Sequence, residues 1–433
     1  MKDNTLSIAS IMIMSINLYA ENNQTISVLD DAEKIQQAVK IKTVRGILGE
    51  NNPIEHAKGQ LRTGYITFKE NDSERNNAYA LGGHYHFESK GWNGLKVGLS
   101  AYTVLDPGIN QNPNRVNGDF FNAEGKSFIL FTEAYLDGKW GNTEVKLGRQ
   151  ILNTPHADSD DIRMIPNYFE AYTITNTDID DLTLSAGYIR KMAGWENGIN
   201  ASKFVKISKT LESDEDTDGI YYANASYEGI RDLSLSLWVY NYQDIANVIY
   251  AEAGYNYAFT EYRNLTFGLQ YDGSRETGTA QLGKQDAHTF GISIEFAVED
   301  IGIHILTAYN RDYGTTGATD LSLGGGPLFT SMEDQTLDAI GMAGSAWMIG
   351  SGFHFEKIGI DGLHAGIAYG NFEAEDHSSY KSKEIDAVID YTFNEKLSLT
   401  AAYASVSFDT GMNEEGHPLN DYDQFRLIAN YNF

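Results

Sequence analysis

From about Leu61 to the end of the chain, apolar and polar residues alternate with a period of two in stretches of roughly ten residues, separated by polar breaks. Leu233, Leu235, Leu237 and Val239 alternate with Ser234, Ser236 and Trp238, so one face is aliphatic and the other mixed. Leu265, Phe267, Leu269, Tyr271 and Leu397, Leu399, Ala401, Tyr403 repeat the pattern. Each series follows a short turn, as do the residues after Glu88–Gly94, Glu228–Asp232, Tyr262–Asn264 and Asn394–Lys396. Longer segments intervene at Asp106–Lys126, Leu152–Asn167, Gly194–Asp218, Arg311–Ser345 and Asp409–Asn420. Runs such as Ala78–Phe87, Leu95–Val104, Phe128–Leu136, Thr143–Gln150, Phe169–Thr175 and Leu182–Met192 bring the count to about 18 strands, with about 16 as the rival.

Short turns at one end and long loops at the other predict an all-β fold, a transmembrane antiparallel β-barrel. Barrels of about 16 to 18 strands keep an aqueous lumen, whereas about eight strands are filled by their own side chains. Sandwich strands average about half this length, which argues against a pair of packed sheets.

Composition supports the same reading. Hydrophobic residues make up 42% of 433, with 42 Gly, 7 Pro, 27 Tyr and 20 Phe, and the mean hydropathy is −0.37. After the first twenty residues no apolar run reaches the ~18 needed for a helical span. Alternating strands cross a bilayer without such a run, because lumen-facing positions dilute the hydropathy. A net charge of −28 excludes nucleic-acid binding, which depends on cations that neutralise phosphates. There is no Cys, so a closed hydrogen-bond network must hold the chain without disulfides.

Lys2, the apolar stretch Leu6–Leu18 and Ala20 before Glu21 read as a secretory signal peptide over residues 1–20. Residues 21–58 read as a periplasmic leader with a helical stretch after Asp30, partly tucked into the pore, and 59–433 as the barrel. At the other end, Phe425, Leu427, Ala429, Tyr431 and Phe433 alternate with Gln424, Arg426, Ile428, Asn430 and Asn432. A last strand that ends on Phe433 resembles the assembly signal of bacterial outer-membrane barrels, carried by Tyr431 and Phe433.

The third long segment contains Gly148-Arg149, Pro155, the block Asp160-Asp161-Ile162-Arg163-Met164-Ile165-Pro166, and Phe169-Glu170-Ala171. A second block runs from Gly324 through Gly325, Gly326, Pro327, Leu328, Phe329, Thr330, Ser331 and Met332 to Glu333, with Trp347 at a later strand start. With the signal peptide and the terminal Phe433, these features resemble the OprD family of outer-membrane porins, in the form carried by Campylobacter-like bacteria. The resemblance covers nearly the whole mature chain. It implies an 18-stranded barrel whose third and seventh long loops fold inward, placing Asp158, Asp160, Asp161 and Arg163 at a constriction. Opposed charges across a narrow passage orient dipolar solutes and reject apolar ones.

The resemblance also implies a basic track on the lumen wall. Alternation points Lys146, Lys191 and Arg426 inward, while Arg62 lies on a strand whose parity the sequence leaves open. Arg149 falls on the lipid parity and reaches the pore only if a bulge or strand end turns it. Asp214, Asp216 and Asp218 with Gly219 match the start of a calcium loop, but Ala225 replaces the final Glu; this leaves loose divalent binding such as Ca2+ at an exposed loop. His84 and His86 share a strand face and read as polar wall residues without a third ligand.

The expected function is a diffusion channel for small polar solutes and ions, without catalysis or a required cofactor. A barrel adhesin or an outer-membrane hydrolase is the alternative. Expected partners are outer-membrane lipid and lipopolysaccharide, the barrel assembly machinery and copies of the chain in a homotrimer.

Overall fold

The computed structural model describes residues 53–71, 73–110, 118–413 and 416–433. The residues read as a signal peptide, and all but the end of those read as a leader, lie outside the described residues. The strands are β1 (Ile54–Glu70), β2 (Asn76–Ser89), β3 (Leu95–Leu105), β4 (Phe128–Trp140), β5 (Thr143–Gln150) and β6 (Tyr168–Ile179). They continue with β7 (Leu182–Ala193), β8 (Ile220–Ile230), β9 (Leu233–Tyr242), β10 (Ala246–Thr260), β11 (Arg263–Glu276) and β12 (Asp286–Val298). The last six are β13 (Ile303–Asp312), β14 (Gly344–His354), β15 (Leu363–Ala374), β16 (Lys381–Asn394), β17 (Leu397–Thr410) and β18 (Tyr422–Asn432).

Each strand pairs antiparallel with its neighbour in sequence, and β1 pairs with β18 from Gln60↔Asn432 to Glu70↔Tyr422, closing an 18-stranded barrel. Closure removes both sheet edges, so the wall presents no open strand edge to lipid. The first strand starts at Ile54, so Ile54–Lys58, read from sequence as the end of the leader, belong to the wall instead. The apolar positions near Lys58 are too sparse to show this; pairing with β2 decides it.

At the end near the termini the turns are short, as between β4 and β5 or β6 and β7. The opposite connections, numbered L1 to L9 along the chain, include L2 (106–127), L3 (151–167), L4 (194–219) and L7 (313–343). Lipid-facing residues are aliphatic and exposed, Leu61 and Leu269 each 60%, while aromatics such as Tyr255, Tyr257, Phe259 and Phe393 crowd the strand ends. That is the outer band and aromatic girdle of a membrane barrel. At the seam, Gly59 and Phe433 exchange two backbone hydrogen bonds of 2.9 Å. A Cβ on Gly59 would stand 2.4 Å from the Phe433 ring, so the terminal aromatic needs a residue without a side chain opposite it.

Candidate pore constriction

L3 turns into the lumen as a small ribbon in which Asn153–Thr154 pairs with Ala157–Asp158. At its tip His156 Nε2 lies 2.8 Å from Asp272 Oδ2 on β11, both side chains buried. The Tyr240 and Tyr250 rings stand edge-on to the imidazole at 5.3 and 6.3 Å. L7 runs beside L3: the Leu323 amide donates to the His156 carbonyl at 3.0 Å, and the Asp158 amide donates to the Leu323 carbonyl at 3.3 Å. Gly324 adopts φ +122° there, and a Cβ on it would meet the Asp158 carbonyl oxygen at 2.2 Å. The glycine run of the second motif thus permits the close passage of two loop backbones.

Beyond this crossing the contacts become ionic. Arg62 faces the lumen and grips Asp161 with two hydrogen bonds of 2.5 and 2.9 Å, while also donating to the Arg163 carbonyl at 2.9 Å. Arg163 donates to Glu333 of L7 at 3.1 Å, lies 3.6 Å from Asp119 of L2 and covers the Trp195 ring. Arg426 on β18 pairs with the same Glu333 oxygen. The backbone of L7 is capped by wall carboxylates: Glu333 N–H donates to Asp386, and the Asp334 and Gln335 amides donate to Glu384. The arginine bonds to Glu333 are charge-assisted and so among the stronger ones, and with these caps they pin L7 across the lumen.

Burial pushes the Glu333 carboxyl up, but the Arg426 and Arg163 guanidiniums more than offset it and hold it at about 2. Burial and then Glu333 push Asp334 up to about 6. On the other side of L3, burial drives Glu196 of L4 up to about 7, although it accepts from the Gly325 amide and from Asn167. Asp160 is raised well above the usual carboxylate range by burial, Glu196 and Asp158.

Of the predicted constriction residues, Asp158 and Asp160 are buried in the seam between L3, L4 and L7, and Arg163 is buried in the ion row. Asp161 keeps an exposed carboxylate, its side chain 47% accessible. Of the predicted basic track, Arg62, Lys146 and Arg426 lie on the lumen face, since Arg62 pairs with Asn430 and Gly82 opposite the exposed Leu61. Lys191 does not. A bulge at Arg190 leaves Ala171 opposite Ile189 but Glu170 opposite Lys191, which flips Lys191 to the outer face. There Lys191 and Arg190 share Glu170 at 3.3 and 3.2 Å, and Arg149, on the lipid parity as expected, stays outside over Phe204. Asp214, Asp216 and Asp218 do not converge: among the described residues only Glu55, His56 and Glu88 bring ligand atoms within 4.8 Å of one another. Asp216 instead holds Lys206 Nζ at 2.6 Å, which puts an ammonium where an ion was expected. His86 Nδ1 pairs with Glu133 at 2.9 Å, and His84 lies against Tyr102.

Sequence reasoning missed His156, Asp272, Glu196, Glu384 and Asp386. His156 lies in the third long segment and Glu333 in the second block, but Asp272 and Arg426, which hold them to the wall, are on distant strands and carry no local signal.

Below the loops, toward the termini, the lumen opens into a cavity of about 650 Å³ lined by Glu144, Lys146, Thr173, Ser185, Asn224, Trp238 and Glu252. A closed barrel with a polar interior, narrowed by inward loops, is a porin. The chain belongs to the OprD family of outer membrane porins, whose model matches residues 55–433. It is similar to the crystal structure of Pseudomonas aeruginosa OccK9 (OpdG), with TM-score 0.75 and 21% identity over 87% of this chain and 97% of that one. Acinetobacter baumannii OccAB3 gives TM-score 0.75 at 16% identity over 87% and 98%. Pseudomonas aeruginosa OpdK, solved with vanillate, gives TM-score 0.68 at 20% identity over 88% and 100%. No curated protein matches the chain. It is an outer-membrane channel, and the adhesin and hydrolase alternatives draw no support from its family.

Proposed function

We propose that the channel passes small polar solutes by diffusion without turnover, with a slight preference for cations set at the L3 eyelet. The observation that carries this is the state of the arginines. Arg62, Arg163 and Arg426 are each 3% exposed or less, and each is held by a carboxylate. Asp161 and Asp119 keep side chains 47% and 42% exposed. A solute therefore meets more uncovered negative than positive charge at the narrow point, and a low-dielectric wall strengthens that field. Lys146, the inward wall cation below the eyelet, opposes it in part.

Reversal potentials across a salt gradient test this reading in the wild type and in Asp161→Asn. Cation preference at about 0.01 M salt should shrink in the variant and fade in both near 1 M, as the Debye length drops from about 30 to about 3 Å. Selectivity unmoved by Asp161→Asn would take the eyelet charge out of the mechanism.

A further inference from the structure

On the outer face of the barrel, at the rim that carries the long loops, cations gather on adjacent strands. Arg149 lies near the end of β5, and Arg190 and Lys191 near the end of β7. Glu170 of β6 stands between them, opposite Arg149 on one side and Lys191 on the other. The bulge at Arg190 is what turns two consecutive cations outward. Val205–Lys206 of L4 then pairs with the end of β7 and sets Lys206 directly opposite Lys191, a like-charge cross-strand pair that is repulsive by itself. Internal partners take up only part of this charge. Arg190 and Lys191 share Glu170 at 3.2 and 3.3 Å, Lys206 holds Asp216 at 2.6 Å, and Arg149 donates to the Phe131 carbonyl at 3.0 Å while covering the Phe204 ring. Among the described residues no ion pair joins these cations to the further L4 carboxylates Asp214, Glu215 and Asp218. Four cations therefore meet two carboxylates, in a chain whose acidic residues outnumber its basic ones 60 to 32. Two residues nearer the membrane centre than Glu170 and Arg190, Tyr172 and Tyr188 continue into Tyr221 of β8 as a row of rings centred 6.2 and 4.5 Å apart. Such a girdle marks where acyl chains give way to headgroups, so the cations stand at headgroup depth, and at the long-loop end that is the outer leaflet.

We propose that Arg149, Arg190, Lys191 and Lys206 form a docking site for the phosphorylated headgroup of lipopolysaccharide, the anionic lipid of that leaflet. Guanidinium and ammonium groups bind phosphate oxygens through charge-assisted hydrogen bonds, and Arg offers them in pairs. A phosphate between Lys191 and Lys206 also relieves their mutual repulsion. From β5 through β6 and β7 to the Val205–Lys206 segment there are three strand spacings, about 14 Å in all. That span suits the two phosphates of a lipid A disaccharide better than the single phosphate of a phospholipid. Across the barrel the rim carries no such surplus at Lys383 of β16, which Asp409 matches at 2.7 Å.

Bisphosphorylated lipid A is the probe, titrated onto the full chain in detergent and followed by native mass spectrometry. The wild type is compared with Arg190→Gln plus Lys191→Gln, with Arg149→Gln and with Lys383→Gln, each first checked for heat-modifiable migration. Two cations fewer at a membrane surface should weaken binding by about tenfold or more in the double variant. The loss should be smaller in Arg149→Gln and absent in Lys383→Gln, which removes the same kind of charge from the opposite rim. If the double variant does not fold, Arg149→Gln plus Lys206→Gln takes its place. Lipid A stripped of its phosphates should bind the wild type no more tightly than the double variant. Equal binding by the wild type and the double variant, a loss in Lys383→Gln as large as in the double variant, or phosphatidylglycerol bound as tightly as lipid A would overturn the site. The readout does not involve conduction, so it stands or falls separately from the proposed selectivity.

Discussion

L3 is secured at its tip and at its base by different chemistry. At the tip a single imidazole–carboxylate contact, His156 to Asp272, is sealed among Tyr240, Tyr242 and Tyr250. At the base the Arg62–Asp161 pair is joined through the Arg163 carbonyl to a second set, Arg163 and Arg426 on Glu333, and the row links β1, L3, L7 and β18. The sealed pair positions one turn and can be lost without exposing other charges. The ion row holds as a set, because the side chains of its three arginines and of Glu333 are buried and each needs its partner.

The largest effect should therefore come from Glu333→Ala. It leaves Arg163 and Arg426, 2% and 3% exposed, without their shared carboxylate. Breaking a buried ion pair costs roughly 3–5 kcal/mol, enough to release L7 from the wall. Single-channel conductance in planar bilayers should rise clearly. A conductance equal to the wild type would mean that the Glu384 and Asp386 caps hold L7 alone.

His156→Ala should cost less, about 2 kcal/mol for a hydrogen bond to a charged group. Open-channel noise should increase as the L3 tip loosens, while reversal potentials stay put, since neither group reaches the passage. A change in selectivity with no change in noise would contradict a purely positioning role.

The loop seams also differ in pH response. Glu196 and Asp334 bind protons more tightly in the packed loops, near 7 and 6, than when released, near 4.5 and 3.8. Their contribution to packing is full in acid and is lost as pH rises through that window. Glu333 has the opposite sign: held at about 2 against 4.5, it supports packing above about pH 4.5 and loses that support as pH falls. Conductance should pass through a minimum near about pH 4.5 to 5 and rise on both sides. Glu196→Gln should flatten the neutral limb and spare the acid limb; if both limbs persist unchanged, the L3–L4 seam is not the sensor.

Strand alternation made the barrel legible because lipid and water impose opposite demands on successive residues, as in Leu233 to Val239. Short turns, the terminal aromatic and the two loop motifs were legible for the same reason: each is local. What alternation could not show was the bulge at Arg190, where one extra residue reverses which face Lys191 takes. Nor could it show that Arg62 and Arg426 serve as loop anchors and not as a free basic track. Their partners Asp161 and Glu333 lie 99 and 93 positions away, and only closure of the barrel brings them together.

The smallest effect separates the two lysines that alternation had grouped. Lys146 lies on the lumen face of β5, its ammonium 3.9 Å from the Tyr135 ring centre and bordering the open cavity. Lys191 lies behind the wall, where its charge is shared with Glu170. Lys146→Gln removes one inward positive charge and should move the reversal potential slightly toward cations at about 0.01 M salt, where the Debye length is about 30 Å. Lys191→Gln should leave it where it was. Because both substitutions remove the same charge, any common effect of net charge cancels in the comparison, and only position remains. Equal shifts for the two would mean that β7 lacks the bulge in the membrane and that Lys191 faces the solute path after all.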